Sequence, residues 1–351
     1  MTLKDINIDW PLVGNGHIAD FLLKCLKKGD VGGPYIFCGP DNLGKTAVAL
    51  FFAQVLLCQS GKSKLPCGEC YSCKKFSALK SGGEEMAHGD FYLVKKDKSK
   101  KNISVEQIRG LITTLGMSSF LNSYKIGIIK HAHNLSAEAA NALLKTLEEP
   151  KKDVIIILVT SSPETLPATI LSRGKILRFK PVSADIIYDY LIEKRGAGRS
   201  AAKNYSRMCL GRPALAVKFL EDADFYNSYL KRAGVFINFF KNDINSRFLA
   251  IEELLKESGY KTTEQTNQES AALAIRIAEI WLGVARDLLL VSYGQGNLIQ
   301  HEIFAKELDV LKEKLGRKKI FSLFESLSIV EKYIKANVNS RLALEVVALN
   351  A

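Results

Sequence analysis

Residues 39–46 read Gly39-Pro40-Asp41-Asn42-Leu43-Gly44-Lys45-Thr46 and fit the phosphate-binding pattern G-x-x-x-x-G-K-[ST]. The stretch follows an apolar run at Tyr35–Cys38, which predicts a buried strand, and precedes Thr46–Leu57, which predicts a helix. In this context glycines let backbone N–H groups surround phosphate oxygens, and the helix N-terminus adds partial positive charge. The sequence therefore predicts that ATP or ADP is held by Gly39, Asn42, Gly44, Lys45 and Thr46, with Lys45 on the terminal phosphates.

The acidic half of a hydrolytic site is missing from this sequence. A P-loop enzyme normally ends a later strand in an acidic residue that holds Mg²⁺. Here the predicted strand Tyr124–Ile129 is followed by Lys130 and His131. An ammonium group in that place repels a divalent cation, so we expect Mg²⁺ binding and hydrolysis to be lost or very weak. The alternative is an acid supplied from elsewhere, such as Glu148 or Glu149, although both are typical of the exposed end of a helix.

Four cysteines cluster in the segment 58–73, at Cys58, Cys67, Cys70 and Cys73. Four thiolates suit tetrahedral Zn²⁺, and the long gap before Cys67 does not match common iron–sulfur spacings. Because the four thiolates leave no ligand position open, the pattern predicts a structural zinc, with an iron–sulfur cluster or free thiols as alternatives. The remaining cysteines have apolar neighbours and are interpreted as buried thiols; they are Cys25, Cys38 and Cys209.

Composition excludes several classes of protein. The chain has 351 residues, of which 47% are hydrophobic and 25% charged, and this excludes collagen-like, disordered and disulfide-scaffold classes. Neither an apolar run long enough to cross a membrane nor the apolar run of a signal peptide is present, so we expect a cytoplasmic protein without membrane contact.

The net charge of +12 leaves a nucleic-acid partner open. The lysine-rich segment Lys95–Lys101 is interpreted as a solvated loop, with a nucleic-acid-binding arm as the alternative. Lys74, Lys75 and Arg109 are candidates for phosphate contacts with DNA, with an ordinary solvated surface as the alternative.

Strand and helix patterns alternate up to about residue 180 and predict a parallel sheet wrapped by helices. A third strand is predicted at Val154–Val159, a helix from Ser104 to about Leu115 on the basis of a capping box, and a helix at Glu138–Glu149. After Pro181 only helical patterns remain, at 186–194, 200–210, 212–220, 270–290 and 318–336. The apolar spacing in 270–290 indicates core packing or, alternatively, a face between subunits.

The most specific stretch of the chain is Ala139-Ala-Asn-Ala-Leu-Leu-Lys-Thr-Leu-Glu-Glu-Pro150. It occurs together with the P-loop and the cysteine cluster, and with further family-like segments at 12–14, 103–109, 158–160, 172–173 and 337–345. On these motifs the chain resembles the bacterial DNA polymerase III clamp-loader subunits of the AAA+ superfamily over nearly its whole length.

The resemblance implies a fold and an assembly. It implies an α/β AAA+ P-loop core over residues 1–180 with the zinc insertion at 58–73, a small helical lid at 181–222, and an all-α collar domain at 223–351. It also implies a ring-like heteropentamer in which gamma/tau motor subunits, a delta subunit and a delta-prime subunit load the sliding clamp onto primer–template DNA. Motor subunits hydrolyse ATP, whereas delta-prime subunits are similar in fold but do not.

The resemblance also assigns roles to single residues. Arg173 matches the arginine that such a subunit donates to a neighbour's ATP, although Gly174 replaces the family's cysteine, and a plain surface arginine is the alternative. Thr160 matches the sensor-1 residue, with a doubtful catalytic role. The family's sensor-2 arginine is expected near Leu215, where an apolar residue stands, and nearby Arg212 is expected to face solvent.

Three functional hypotheses follow. The first is a non-hydrolysing clamp-loader subunit that acts as a stator, because two parts of the ATPase site are degraded while the arginine is present. The second is a clamp-loader motor ATPase, which requires acidic residues where Lys130 and His131 stand. The third is a zinc-containing P-loop protein that binds nucleic acid directly, which leaves the Leu-Glu-Glu-Pro stretch unexplained.

Overall fold

The computed structural model describes residues 8–60, 64–80, 88–97, 100, 102–121, 124–151, 153–256, 264–336 and 338–351. The chain divides into two compact units. The first unit comprises Met1–Ile187 and Gly211–Ala214, and the second comprises Tyr188–Leu210 and Leu215–Ala351. Parts of the predicted lid, 181–222, therefore fall in each unit, and the division into three domains stays a prediction.

A parallel sheet forms the centre of the first unit, as predicted. Its five strands are β1 (Gly33–Cys38), β2 (Phe91–Val94), β3 (Lys125–Lys130), β4 (Val154–Thr160) and β5 (Lys175–Arg178), in the order β2-β3-β4-β1-β5. In the register of the sheet, Cys38 lies opposite Thr160 and Lys130 lies opposite Val159. The carboxyl ends of β1, β3 and β4 therefore lie side by side at one edge.

The central strands are mainly apolar because both faces of the sheet are covered, although β3 has a lysine at each end. All seven residues of β4 are buried. Along β1, Tyr35 and Phe37 pack on one face with Phe52, whereas Ile36 packs on the other face with Leu143. This alternation gives the sheet two separate hydrophobic cores, one on each face.

Among the described residues of the first unit, six helices surround the sheet. They are α1 (Gly16–Lys28), α2 (Lys45–Leu56), α3 (Tyr71–Lys80), α4 (Val105–Gly116), α5 (Ala137–Glu148) and α6 (Ala168–Leu171). The capping box that predicted the start of α4 is present, since Gln107 N–H donates to Ser104 Oγ and Ser104 N–H donates to Gln107 Oε1. The segment 58–73, which contains the cysteine cluster, enters α3 at Tyr71.

The helices from residue 184 onward are α7 (Ala184–Arg195), α8 (Arg199–Met208), α9 (Pro213–Glu221), α10 (Ala223–Phe239), α11 (Ile244–Lys256), α12 (Glu264–Ser292), α13 (Ala305–Lys314), α14 (Arg317–Lys335) and α15 (Ser340–Asn350). The prediction of a helical C-terminal region is confirmed. In α12 the side chains of Ile277, Trp281, Val284 and Leu288 are buried, so its apolar spacing reflects core packing. Among the helices that the structure describes, none is long and apolar enough to cross a membrane.

Candidate functional site

The P-loop connects β1 to α2 at the carboxyl edge of the sheet. Gly39 has a φ of 137°, and a side-chain carbon there would collide with the carbonyl oxygen of Phe179. Gly44, with a φ of 85°, precedes the first residue of α2, and no side chain caps the helix there. The first turn of α2 also carries no acidic residue. The N-terminus of α2 therefore carries neither a side-chain cap nor an acidic residue in its first turn, which favours phosphate binding there.

Lys45 lies at the centre of this loop and is 5% exposed. Its Nζ donates to the carbonyl oxygens of Gly39, at 2.5 Å, and Pro40, at 2.6 Å, and lies 3.6 Å from Asp41 Oδ1. Burial lowers the pKa of Lys45, and the nearby carboxylate of Asp41 opposes that shift. The loop thus holds a buried ammonium group at the place where the motif requires one.

The segment before α9 contacts the P-loop. The backbone N–H of Ala214 donates to the carbonyl oxygen of Asn42 at 3.0 Å. Arg212 is half-buried, and its positive charge contributes to lowering the pKa of Lys45. Arg212 was expected to face solvent; the turn into α9 leaves it partly exposed and brings its guanidinium within electrostatic reach of the loop. Ala214, which contacts the loop directly, was not singled out by the sequence, since a backbone contact leaves no residue-type signal.

The end of β3 adds further basic groups to this edge. His131 follows Lys130 and adopts a left-handed backbone, with φ 54° and ψ 52°. Burial lowers the pKa of His131, the charges of Lys130 and Lys45 lower it further, and Asp41 opposes them. Among the described residues, Asp41 is the carboxylate whose charge raises the pKa of both Lys45 and His131. The residues that the structure describes at the end of β3 therefore do not fit a Mg²⁺ site.

Thr160, the candidate sensor-1 residue, ends β4 next to these groups and is 1% exposed. Its hydroxyl oxygen lies 3.3 Å from His133 Nδ1 and accepts a hydrogen bond from the Ser162 N–H at 3.1 Å. The rings of His131 and His133 lie 5.5 Å apart. Thr160 is thus already engaged with a histidine that the sequence did not single out.

Arg173, the candidate arginine for a neighbouring subunit, follows α6 and has a side chain 35% exposed. Its NH2 group lies 2.8 Å from Glu148 Oε1, and its NH1 group donates to the carbonyl oxygen of Thr169 at 2.9 Å. Glu148 is thus engaged by Arg173. This contact does not support the alternative in which Glu148 supplies the missing acid for Mg²⁺.

The four clustered cysteines fit a tetrahedral metal. Their sulfur atoms all lie within 4.8 Å of one another. Two pairs are closer, Cys67 with Cys73 at 3.9 Å and Cys58 with Cys70 at 4.0 Å. A tetrahedral zinc with Zn–S bonds of about 2.3 Å requires sulfur–sulfur distances of about 3.8 Å. The two shorter distances match this value, so the cluster could bind one Zn²⁺.

Backbone N–H groups support this cluster. The Cys70 N–H donates to Cys67 Sγ at 3.4 Å, and it is the main cause that lowers the pKa of the Cys67 thiol to about 6. Burial raises the pKa of Cys58 and of Cys73. The cluster therefore offers one readily formed thiolate together with thiols that a metal would have to deprotonate. The other three cysteines, Cys25, Cys38 and Cys209, are buried as predicted.

The buried residue His88 anchors the cysteine cluster to the sheet. Ser72 Oγ lies 2.9 Å from His88 Nε2, and the Asp90 N–H donates to His88 Nδ1 at 3.0 Å. The carboxylate of Asp90 accepts in turn from the N–H groups of Phe120 and Leu121. A lone histidine and a lone aspartate carry no sequence signal for this role, so sequence reasoning missed both.

The basic residues predicted to contact DNA lie on the surface. Lys74 and Arg109 are exposed, and Lys75 Nζ lies 5.6 Å from the centre of the Tyr71 ring. In the segment 95–101, residues 98, 99 and 101 lie outside the described residues, and 95–97 and 100 lie outside helices and strands. These positions suit a solvated surface equally well, and DNA contact stays a prediction.

Comparison with known proteins shows which family this chain is similar to. The family described as "DNA polymerase III, delta subunit" matches residues 14–183. The delta' subunit of Bacillus subtilis is 35% identical over 178 residues, which cover 51% of this chain and 51% of that protein. The tau/gamma subunit of Haemophilus influenzae is 36% identical over 180 residues, or 51% of this chain and 25% of that protein. The gamma subunit of Buchnera aphidicola is 26% identical over 313 residues, or 87% of this chain and 84% of that protein.

The resemblance to the clamp-loader AAA+ subunits of DNA polymerase III is therefore confirmed. The chain spans between a quarter and a half of the length of the first two relatives. Because delta' and tau/gamma subunits match at nearly equal identity, the comparisons support the likeness to clamp-loader subunits and do not distinguish the type of subunit.

The lowered pKa of His131 predicts a pH dependence of stability. The folded chain keeps this imidazole neutral at a pH where the unfolded chain binds a proton. Its contribution to stability is therefore present above the unfolded pKa of about 6.5 and is lost as pH falls through the lower folded pKa. In His131→Asn, which tolerates the left-handed backbone, we expect a smaller fall of the melting temperature between about pH 7.5 and 5.5 than in the wild type. Equal falls in thermal melts by circular dichroism would contradict this assignment.

Proposed function

We propose that this chain is a non-hydrolysing, delta-prime-type subunit of a DNA polymerase III clamp loader. In this role it assembles with gamma/tau motor subunits and a delta subunit, and the complex loads the sliding clamp onto primer–template DNA. The chain acts as a stator and supplies Arg173 to the nucleotide of a neighbouring motor subunit. The observation that carries the proposal is the end of β3, where Lys130 and His131 occupy the positions at which a motor needs acidic residues.

The magnitude of this effect supports the absence of hydrolysis. Two unit charges 4 Å apart at an effective dielectric constant of about 20 interact with about 4 kcal/mol. An ammonium group in place of a carboxylate thus removes an attraction of this order and adds a repulsion. Since about 1.4 kcal/mol is tenfold in affinity, Mg²⁺ binding at this position falls by roughly a thousandfold or more.

The same charge favours binding of a nucleotide without hydrolysis. Gly39, Asn42 and Gly44 shape the loop, Lys45 supplies its ammonium group, and Thr46 lies in the first turn of α2. A triphosphate carries several negative charges, and the basic groups around the loop partly neutralise them without a metal ion. ATP or ADP is the ligand that this arrangement suits.

Arg173 suits a role in trans because its guanidinium is partly exposed and lies outside its own chain's P-loop segment. A guanidinium neutralises the charge that develops on the γ-phosphate during transfer. At the chain's own P-loop, Lys130 and His131 stand where hydrolysis requires acidic residues. Arg173 would therefore act on the nucleotide of a neighbouring subunit.

The proposal also assigns roles to the three predicted domains and to the cysteine cluster. Residues 1–180 form the AAA+ core, 181–222 the lid and 223–351 the collar that assembles with the collars of other subunits. Zn²⁺ bound by Cys58, Cys67, Cys70 and Cys73 has a structural role, because four thiolates leave no position for a substrate. A replisome subunit of this kind works in the cytoplasm.

The zinc assignment predicts one Zn²⁺ per chain in elemental analysis of the purified protein. Cys70→Ser removes one of the four ligands and should lose most of the metal and lower the melting temperature. Cys209→Ala changes a buried thiol outside the cluster and should keep the metal. Iron with sulfide, or full-length protein without bound metal, would contradict the assignment.

The proposed function predicts no ATP turnover by the purified chain. In a loader reconstituted with motor subunits, clamp and primed DNA, Arg173→Ala should remove turnover at the neighbouring motor site, since such arginines contribute about 10³-fold or more. Lys45→Ala serves as the control and should leave turnover of the complex intact. Both quantities are measured as phosphate release.

The second candidate function is a motor ATPase, which the match to a tau/gamma subunit at 36% identity favours. Turnover by the purified chain that disappears in Lys45→Ala would establish this candidate. It would also overturn the interpretation of Lys130 and His131.

A further inference from the structure

The candidate trans-acting arginine is held by a carboxylate of its own chain. Arg173 NH2 lies 2.8 Å from Glu148 Oε1, and NH1 donates to the Thr169 carbonyl oxygen at 2.9 Å. Glu148 is the last residue of α5, and Arg173 comes two residues after the end of α6. The ion pair therefore joins the carboxyl ends of two successive helices, α5 and α6.

We propose that Glu148 is a positioning residue that orients the guanidinium of Arg173 toward the nucleotide of a neighbouring subunit. The inference rests on the proposed function. It assigns to one carboxylate of the Leu-Glu-Glu-Pro stretch a task that neither the motif nor the match to the family assigns.

The chemistry of the guanidinium allows this role. An arginine has five N–H donors in a rigid planar fork. One contact to Glu148 and one to Thr169 fix the plane of the fork and leave further N–H groups for a phosphate. The Arg173 side chain is 35% exposed, and without these two contacts it would sample many rotamers. Because the contacts already restrict its rotamers, binding to a neighbour's nucleotide costs less conformational entropy.

A purely stabilising role for this ion pair is a weaker explanation. Glu148 is 45% exposed, and ion pairs at such surfaces contribute little to stability. Removal of the carboxylate should therefore leave the fold intact. A change in turnover without a change in melting temperature separates positioning from stabilisation.

The chain offers a matched control one residue away. Glu149 carries the same charge in the same motif, but it lines a cavity of about 240 Å³ together with Lys145 and Lys151. Among the described residues, the ion pair of Arg173 is with Glu148. If turnover depends only on negative charge at the end of α5, Glu148→Ala and Glu149→Ala should lower it equally. If Glu148 positions Arg173, only Glu148→Ala should lower it.

The experiment uses the reconstituted loader with Glu148→Ala, Glu148→Gln, Glu149→Ala and Arg173→Ala in this chain. The turnover of the neighbouring site is taken as the difference in ATP turnover between the wild-type loader and the loader with Arg173→Ala. Glu148→Ala should lower the kcat of that site about tenfold or more with KM unchanged, because a misplaced group loses stabilisation of the transition state. Glu148→Gln keeps an acceptor oxygen and should retain an intermediate kcat, and Glu149→Ala should match the wild type.

Several outcomes would overturn the inference. If Arg173→Ala lowers turnover but Glu148→Ala equals Glu149→Ala, the inference fails and the proposed function stands. If Glu148→Ala raises turnover, the carboxylate competes with the nucleotide for Arg173 instead of positioning it. A Glu148→Ala chain that melts at lower temperature or fails to assemble would show a structural role. If Arg173→Ala has no effect, the proposed function itself fails.

Discussion

The balance of charge at the carboxyl edge of the sheet determines how this chain can use a nucleotide. Parallel strands bring the ends of β1, β3 and β4 to one edge, so whatever residues end those strands share one electrostatic environment. Lys45, Lys130 and Arg212 contribute positive charge there, and Asp41 is the carboxylate that opposes them. A phosphate chain is attracted to such an edge, whereas a magnesium ion is repelled. This balance of charge supports the proposal that the loop binds a nucleotide without hydrolysing it.

Local patterns predicted the central part of the fold. The strand, loop and helix around residues 33–56 and the capping box of α4 have clear signals in the local sequence, and both were predicted to within a few residues. The strands β2 and β5 have four residues each and lie at the edges of the sheet with partly exposed side chains, so neither shows the long apolar run of a central strand. The helix α1 was not predicted from the sequence.

The candidate sites were predictable to a similar degree. The P-loop and the four cysteines carry their chemistry in residue type and spacing, and the structure brings the members of each set together. The position of Arg212, the anchoring of the cysteine cluster by His88, and the ion pair of Glu148 with Arg173 depend on tertiary approach. No periodicity in the sequence encodes such contacts. They are also the contacts that decide what each site can do, since they set charge and orientation.

The central claim is that the P-loop of this chain holds a nucleotide by its own basic groups and without magnesium. The most direct test is the dissociation constant for ATP of the purified chain, measured by calorimetry with Mg²⁺ and again with excess EDTA. The account predicts the same affinity in both conditions, because Lys130 stands where a magnesium ligand would be needed. Binding that weakens about tenfold or more on chelation, equivalent to about 1.4 kcal/mol, would show that the site recruits Mg²⁺ and would contradict the account.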